Sequence, residues 1–595
     1  QIEGILPNAS TFVHSLKACY LIGASERAEE IYDEIKRRGL LQTDQLVGNA
    51  LIDMYAKQGL FIQAREVFNK IPIQSVIAWT TLISGYVDHG QAEEALECFE
   101  EMKLMNVSPN SFTFVCILKA CGINGSLDVG EYIDREVRKQ GLLEKNVLLG
   151  NTLVAMYSKC GAFDKAQEVF DQIRTPSVVS WNSLISGYAQ NGFSNKALEC
   201  FRKMQSAKVD PSLVTYVCVL KACGALRALE IGEVIDARVR KQGLLKKDVG
   251  LGNTLVNMYS KCGVLEKAQE VFDLLPVRDV VSWNAIINGY VEHELGHEAL
   301  KCFQRMRDDG VSPDSITYMC ILRSCSVVKS VDIGKDIHVE VRDLGIMDKD
   351  VALSTAVVSM YAKCGALEEA REVFEQISGQ DVVLWNALIA GYVQHGHKEE
   401  ALHLFQSMHC VGMDPNEITF TCVIKACLSH LMLGKAVHDL IIENGLEGNM
   451  FIASTLINMY AKWGMLSKAQ EVHDTLPVHD LVSCNTLIAG YAHHGHGYEA
   501  LNCYGNMYKE GISPNAITFT CILKACGSMK AIDKGKSIHG EIVSRGLFGN
   551  NIVLGNSLVD MYAKCSSLSN AQRVLEDLPM RNVVTWNTLI AGYTQ

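Results

Sequence analysis

Two His-x-Glu triplets, His338-Val339-Glu340 and His539-Gly540-Glu541, could supply a metal ligand and the proton-carrying carboxylate of a zinc deaminase. The Pro-Cys-x-x-Cys half of such a site is absent. Equivalent places elsewhere in the chain hold Asp134, Asp236 and His438, so both triplets read as repeat positions. The 21 cysteines contain no Cys-x-x-Cys pair. Cys116 and Cys121, like their copies, stand five apart, about 140° around a helix, a poor arrangement for joint chelation. They read as small buried thiols in a reducing compartment. No phosphate-binding loop, His-Glu-x-x-His or Gly-x-Ser-x-Gly motif occurs. The expectation is no catalytic residue, no metal and no cofactor. Lys57, Lys159, Lys261, Lys363, Lys462 and Lys564 form a regular cationic series. They read as phosphate contacts rather than only as charges complementing helix C-termini.

Those residues are regular because the chain is. Trp79, Trp181, Trp283 and Trp385 are spaced by 102; Cys484 follows after 99 and Trp586 after 102. Cys116, Cys218, Cys320, Cys422 and Cys521 keep the same series, which one three-residue deletion near 428–434 accounts for. Each period holds units of 36, 31 and 35 residues. In 178–212, Leu184, Ile185 and Tyr188 share one helical face, Asn191-Gly192 marks a turn, and Ala197, Leu198, Phe201 and Met204 recur at helical spacing. Gly187 and Ala197 are expected to let the two helices of the hairpin approach, and Pro211 to stop the second helix. A hairpin apolar on both broad sides can bury them only against its neighbours, which predicts an all-α solenoid.

Composition agrees. Of 595 residues, 48% are hydrophobic and 21% charged, enough for a large core. The net charge of −12 excludes a generally basic nucleic-acid binder, so any such contact must be local. No apolar run is long enough to span a membrane. The chain begins with Gln1 and reads as a piece of a longer protein whose targeting segment lies elsewhere.

The 35-residue unit, Trp-Asn-x-Leu-Ile-x-Gly-Tyr followed by Ala-Leu-x-x-Phe-x-x-Met and Pro-Asp/Asn, resembles a pentatricopeptide repeat. The alternation with units carrying Leu-Lys-Ala-Cys-Gly and Met-Tyr-x-Lys-Cys-Gly resembles the plant PLS subclass. On this reading residues 1–8 are the tail of a preceding motif. L motifs run 9–44, 111–146, 213–248, 315–350, 417–449 and 516–551. S motifs run 45–75, 147–177, 249–279, 351–381, 450–480 and 552–582. P motifs run 76–110, 178–212, 280–314, 382–416 and 481–515, with a partial one at 583–595. The resemblance implies a right-handed superhelix of about eighteen motifs binding single-stranded RNA, one nucleotide each. It also implies an organellar cytidine-to-uridine editing factor, in a mitochondrion or plastid. Its E/DYW deaminase region would be missing from this chain, or the deaminase or other editing proteins would act in trans. A protein-binding helical scaffold is the alternative.

In the family the fifth and last residues of a motif choose the base. Carried over, the pairs are Asn49 with Ser75, Thr80 with Asn110, Asn151 with Ser177, and Asn182 with Ser212. Asn253 with Asp279, Asn284 with Asp314, Thr355 with Asp381, and Asn386 with Asn416 follow. Ser454 with Asp480, Asn485 with Asn515, and Asn556 with Asn582 complete the series. Asp only accepts, which suits uracil or guanine; Asn and Ser can donate, which suits adenine or cytosine. Asn at the fifth position goes with pyrimidines, Thr or Ser with purines. Val179, Val214, Val281, Ile316 and Val383, second in their motifs, are expected to sandwich bases. The resulting target is nCAnCCnUUnGYnGYnY, with n for L motifs, whose fifth residues are Val13, Val115, Val217, Met319, Thr421 and Thr520.

Overall fold

The computed structural model describes residues 7–22, 25–143, 146–347, 350–377, 379–548, 551–579 and 581–594. Residues 1–6 of the tail assigned to a preceding motif lie outside these. Among the described residues the chain forms 36 α-helices and two short 3-10 turns, Leu244–Lys246 and Cys427–Ser429, with no strand. It is an all-α solenoid. Two compact units can be distinguished, residues 1–293 with 302–312, and residues 294–301 with 313–595.

One motif shows why these residues form hairpins. Helix Val178–Gln190 starts at Ser177, whose hydroxyl accepts the Ser180 N–H. Gly192 turns the chain at φ 81°, and helix Ser194–Ser206 returns. Leu184, Ile185, Tyr188, Ala197, Leu198, Phe201 and Met204 are all buried, as the spacing predicts. Two expectations fail. A Cβ on Gly187 would overlap the Ser158 side chain, so the glycine brings together first helices of successive motifs, not the two arms of one hairpin. Gly85 and Gly391 do the same against Ala56 and Ala362. Pro211 does not stop the second helix, which ends at Ser206, with Lys208 in the left-handed region at φ 55°.

Within each unit successive first helices pack on one another, and the first helices before Val280–Glu292 pack on their own second helices, as do those from Ser315–Val328 to Ile552–Lys564. In the first unit this row runs from Ala9–Ile22 to Val280–Glu292, and in the second from Ser315–Val328 to Val583–Thr594. The short L motif, 417–449, loses its residues in two places rather than one. Its helices start 14 residues apart, Glu417 to Leu431, where Leu213 and Leu229 are 16 apart; the third missing residue lies between its second helix, Leu431–Glu443, and Met450.

The joints between motifs repeat. Phe68–Trp79, Phe170–Trp181, Phe272–Trp283 and Phe374–Trp385 meet edge to face with centroids 4.5–4.7 Å apart. One joint replaces this pair with His473 and Cys484, Nε2 to Sγ 3.6 Å. At L–S joints of the first unit, Asp134 and Asp236 accept from Tyr157 and Tyr259 at 2.8 Å, and from Arg138 and Arg240. The second unit uses His338–Tyr361, His438–Tyr460 and His539–Tyr562 at 2.8–3.0 Å. His338 and His539 of the two His-x-Glu triplets are therefore joint residues. Glu340 accepts from Tyr318, and Glu541 from Tyr504 and Arg545. Most cysteines are buried; burial pushes the Cys121 and Cys223 thiols up to about 12.

Burial pushes the imidazoles of His338, His438 and His539 below their usual value. A base that is harder to protonate when folded gives stability that is whole above its unfolded pKa, about 6.5, and is lost as pH falls. Melting of the chain between about pH 7 and pH 5 should therefore show a loss of stability, and the triple variant His338→Asn, His438→Asn, His539→Asn should flatten it.

Candidate nucleic-acid interface

An α-helix opens with N–H groups that have no partner within it. Here the residue that satisfies them is the last residue of the preceding motif. Ser75, Asn110, Ser177, Ser212, Asp279, Asp314, Asp381, Asn416, Asp480 and Asn515 each accept a backbone N–H of the next first helix. Asn582 does so toward Thr585. The capping role thus falls on the last residues, not on the fifth.

The cap selects the atom that remains. Asn110, Asn416, Asn515 and Asn582 cap through Oδ1, which leaves the Nδ2 donor. Asp279 accepts from the Ser282 N–H, the Ser282 hydroxyl and Asn253 all at Oδ1, which leaves Oδ2 as an acceptor. Burial opposes ionisation of that carboxyl, but these hydrogen bonds more than offset it and hold it below the usual value.

The fifth residues lie one turn into the first helices, and the structure brings several to the last residue of their own motif, about 30 positions away in sequence. Asn182 Nδ2 donates to Ser212 Oγ at 2.8 Å, Asn386 to Asn416 Oδ1 at 3.0 Å, Asn485 to Asn515 at 3.3 Å and Asn253 to Asp279 at 3.4 Å. Thr80 bonds its own helix carbonyl, Val76 O, at 2.6 Å and Thr113 at 2.7 Å. Thr355 differs: its hydroxyl donates to Val351 O of its own helix at 2.8 Å. Asn49, Ser454 and Asn556 are half-buried at the same slot. Asn284 is buried in the first unit, and Asp314 caps a helix of the second.

Val179, Val214, Val281, Ile316 and Val383 are all exposed. So are Leu46, Ile77, Phe112, Leu148, Ile418, Phe451, Val482, Ile517, Val553 and Val584 in the same slot, which the sequence reading passed over although the register points to them. Their exposure runs from 53% at Val179 to 75% at Phe451. A large apolar residue left exposed at the same slot of fifteen motifs, all but those with Ser10, Gly250 and Ala352, is a surface that a flat apolar partner would cover.

Lys57, Lys159, Lys261, Lys363 and Lys462 are exposed and Lys564 half-buried, each at the end of an S-motif first helix. Lys57 and Lys564 are paired to Asp53 and Asp560 at 2.7–2.8 Å. A second cationic row was missed. Lys17, Lys119, Lys221, Arg323, Lys425 and Lys524 are exposed at the ninth position of every L motif. Their spacing of 102, with one of 99, was the available signal. Positions two, five and nine are separated by three and seven residues, so they share one helix face.

Capped hairpins in tandem, most carrying an exposed apolar second residue and the S and P motifs a polar pair, define a helical-repeat protein. A sequence model of the PPR repeat family matches residues 74–122, 176–225, 278–326, 380–429 and 479–528, and a PPR repeat model matches 49–73, 151–175, 253–280, 354–382 and 451–479. Over 594 residues the chain is 34% identical to the mitochondrial pentatricopeptide repeat-containing protein At3g09040 of Arabidopsis thaliana, covering 99% of this chain and 54% of that protein. It is 32% identical over 594 residues to At2g39620 of the same plant, with 99% of this chain and 70% of that protein covered. The chloroplastic At4g18520 is 33% identical over 492 residues, covering 82% of this chain and 79% of its own length. The chain belongs to the pentatricopeptide repeat family. It spans about half to four-fifths of these relatives. The crystal structure of PPR10 from maize shares the fold, with TM-score 0.57, 19% identity and coverage of 98% of this chain and 94% of that one. PPR10 in complex with an 18-nt psaJ RNA element matches with TM-score 0.53 and 19% identity, covering 99% and 91%.

Because Asp279 is a helix cap before it is anything else, Asp279→Ala should lower stability by about 1 kcal/mol, read from the denaturant midpoint. Asp279→Ser should restore most of it.

Proposed function

We propose that this chain binds single-stranded RNA sequence-specifically, one nucleotide per motif. The observation that carries this reading is the exposed apolar second residue beside a polar pair whose last member is fixed by a helix cap. A base slotted between successive second residues loses water on both faces, and a mismatched polar edge then costs about 1–3 kcal/mol. The cap supports the donor and acceptor assignment: capping Asn presents Nδ2, capping Asp presents Oδ2. A fifth-position Asn that spends one N–H on the last residue keeps a second, which suits a pyrimidine carbonyl. The name of the PPR10 complex with RNA agrees with this ligand class.

The target we propose is nCAnCCnUUnGYnGYnY. L motifs with Val13, Val115, Val217 or Met319 at position five contribute little selectivity. The L–S–P alternation of unit lengths supports membership of the PLS subclass. Its role is to direct an organellar cytidine-to-uridine editing reaction whose deaminase belongs to the rest of a longer protein or acts in trans. The mitochondrial and chloroplastic names of relatives support an organelle. The two cationic rows hold phosphates, so affinity falls with salt, by a log–log slope of about −0.7 per neutralised phosphate.

A gel shift with the decoded RNA against a scrambled one tests the proposal. Tighter binding of the decoded strand is expected; equal binding rejects the code, and binding of neither favours a protein scaffold. Asn253→Thr at constant Asp279 should move the preference of that motif from U toward G. Lys119→Ala and Lys221→Ala should weaken all sequences alike and shallow the salt slope by about 0.7 each.

A further inference from the structure

We propose that the threonine hydroxyl at the third position of a motif is a positioning residue that orients the fifth-position amide of the motif before it. This rests on the base-reading proposal above and adds a member to four of the reading pairs.

Thr215 Oγ1 donates to Asn182 Oδ1 at 2.6 Å, Thr419 to Asn386 at 2.6 Å, Thr518 to Asn485 at 2.7 Å and Thr585 to Asn556 at 2.7 Å. All four threonines are fully buried. The direction of these bonds is set by a group that cannot reverse. Each hydroxyl accepts the backbone N–H of its cap residue: Ser212 to Thr215 at 2.9 Å, Asn416 to Thr419 at 3.1 Å, Asn515 to Thr518 at 3.1 Å and Asn582 to Thr585 at 3.2 Å. A backbone N–H only donates, so the threonine proton goes to an acceptor; the cap's side-chain oxygen stands at 2.9–3.1 Å, and the amide Oδ1, at 2.6–2.7 Å, is the nearer one. The amide must answer with Oδ1, and its Nδ2 turns toward the last residue and the base. An Asn amide is otherwise nearly symmetric in shape and could present either end.

The serine joints lack this chain of bonds. Ser180 Oγ lies against Ser177 Oγ at 3.2 Å, and Ser282 Oγ donates to Asp279 Oδ1 at 2.8 Å. At these joints Asn151 Oδ1 and Asn253 Oδ1 are buried and without a partner. The threonine hydroxyls reach both the cap side chain and the amide of the preceding motif, whereas the Ser180 and Ser282 hydroxyls reach the cap. After Asn49 and Thr355 the third residues are Ala78 and Leu384, which carry no hydroxyl. Asn182, Asn386, Asn485 and Asn556 are therefore preset by the threonine of the following motif, while Asn151 and Asn253 are not.

The experiment measures binding of the full chain to a set of RNAs carrying all four bases at one position. For Thr419→Val, pyrimidine-over-purine discrimination at the nucleotide facing motif 382–416 should fall about tenfold, with flanking positions unchanged. Ser282→Thr should sharpen discrimination at the nucleotide facing motif 249–279 by about threefold, which tests the idea even if Thr419→Val folds poorly. Unchanged discrimination in either folded variant, or an equal fall at every position, overturns the positioning role. Absence of any base preference in the wild-type chain at these nucleotides would instead sink the reading on which it rests.

Discussion

The first turn of a helix has N–H groups that no residue of that helix can satisfy. In this chain the side chain that satisfies them belongs to the preceding motif, and everything proposed about recognition follows from that dependence. Ser, Asn and Asp are good caps for one shared reason: a short side chain carrying an acceptor. Once the acceptor is spent, they differ only in what is left over. Asn110 keeps an N–H group and Asp279 an oxygen. A requirement of folding thus fixes one end of the side chain and leaves the other to vary.

The same economy appears across the joints. Gly187 against Ser158 sets how closely successive first helices approach, and Phe170 against Trp181 closes the core beside them. The L–S joints hold one geometry with two chemistries, Asp134 with Tyr157 and Arg138 in the first unit, His338 with Tyr361 in the second. The tyrosine is constant because its ring is buried and its hydroxyl needs a partner; the partner varies because carboxylate and imidazole both accept. The His-x-Glu triplets that look catalytic in isolation arise from this exchange.

Much of the fold was legible because stacking one hairpin on a copy of itself forces the same residues to recur at the same spacing. The buried set of motif 178–212 and the turn at Gly192 follow from that periodicity alone. Where a residue has two possible neighbours, periodicity does not choose between them. It could not say that Gly187 faces the previous motif instead of its own second helix, nor that the chain leaves the helix at Lys208, ahead of Pro211. The reading pairs came from family resemblance, and their proximity in space was invisible in a sequence that separates Asn182 from Ser212 by 30 positions. The capping duty of the last residues, the buried hydroxyl of Thr215 and the cations at Lys119 and Lys221 were written at fixed register. They were overlooked because each is an ordinary residue type until its neighbours are known.

The most direct measurement is a complete single-substitution binding matrix: the affinity of the chain for its decoded RNA with every nucleotide changed in turn to each other base. The account predicts a periodic profile, with penalties at nucleotides facing S and P motifs and almost none at every third position, where Val115, Val217 and Met319 occupy the slot proposed to read the base. A profile that is flat along the strand, or whose penalties ignore the three-motif rhythm, would contradict it.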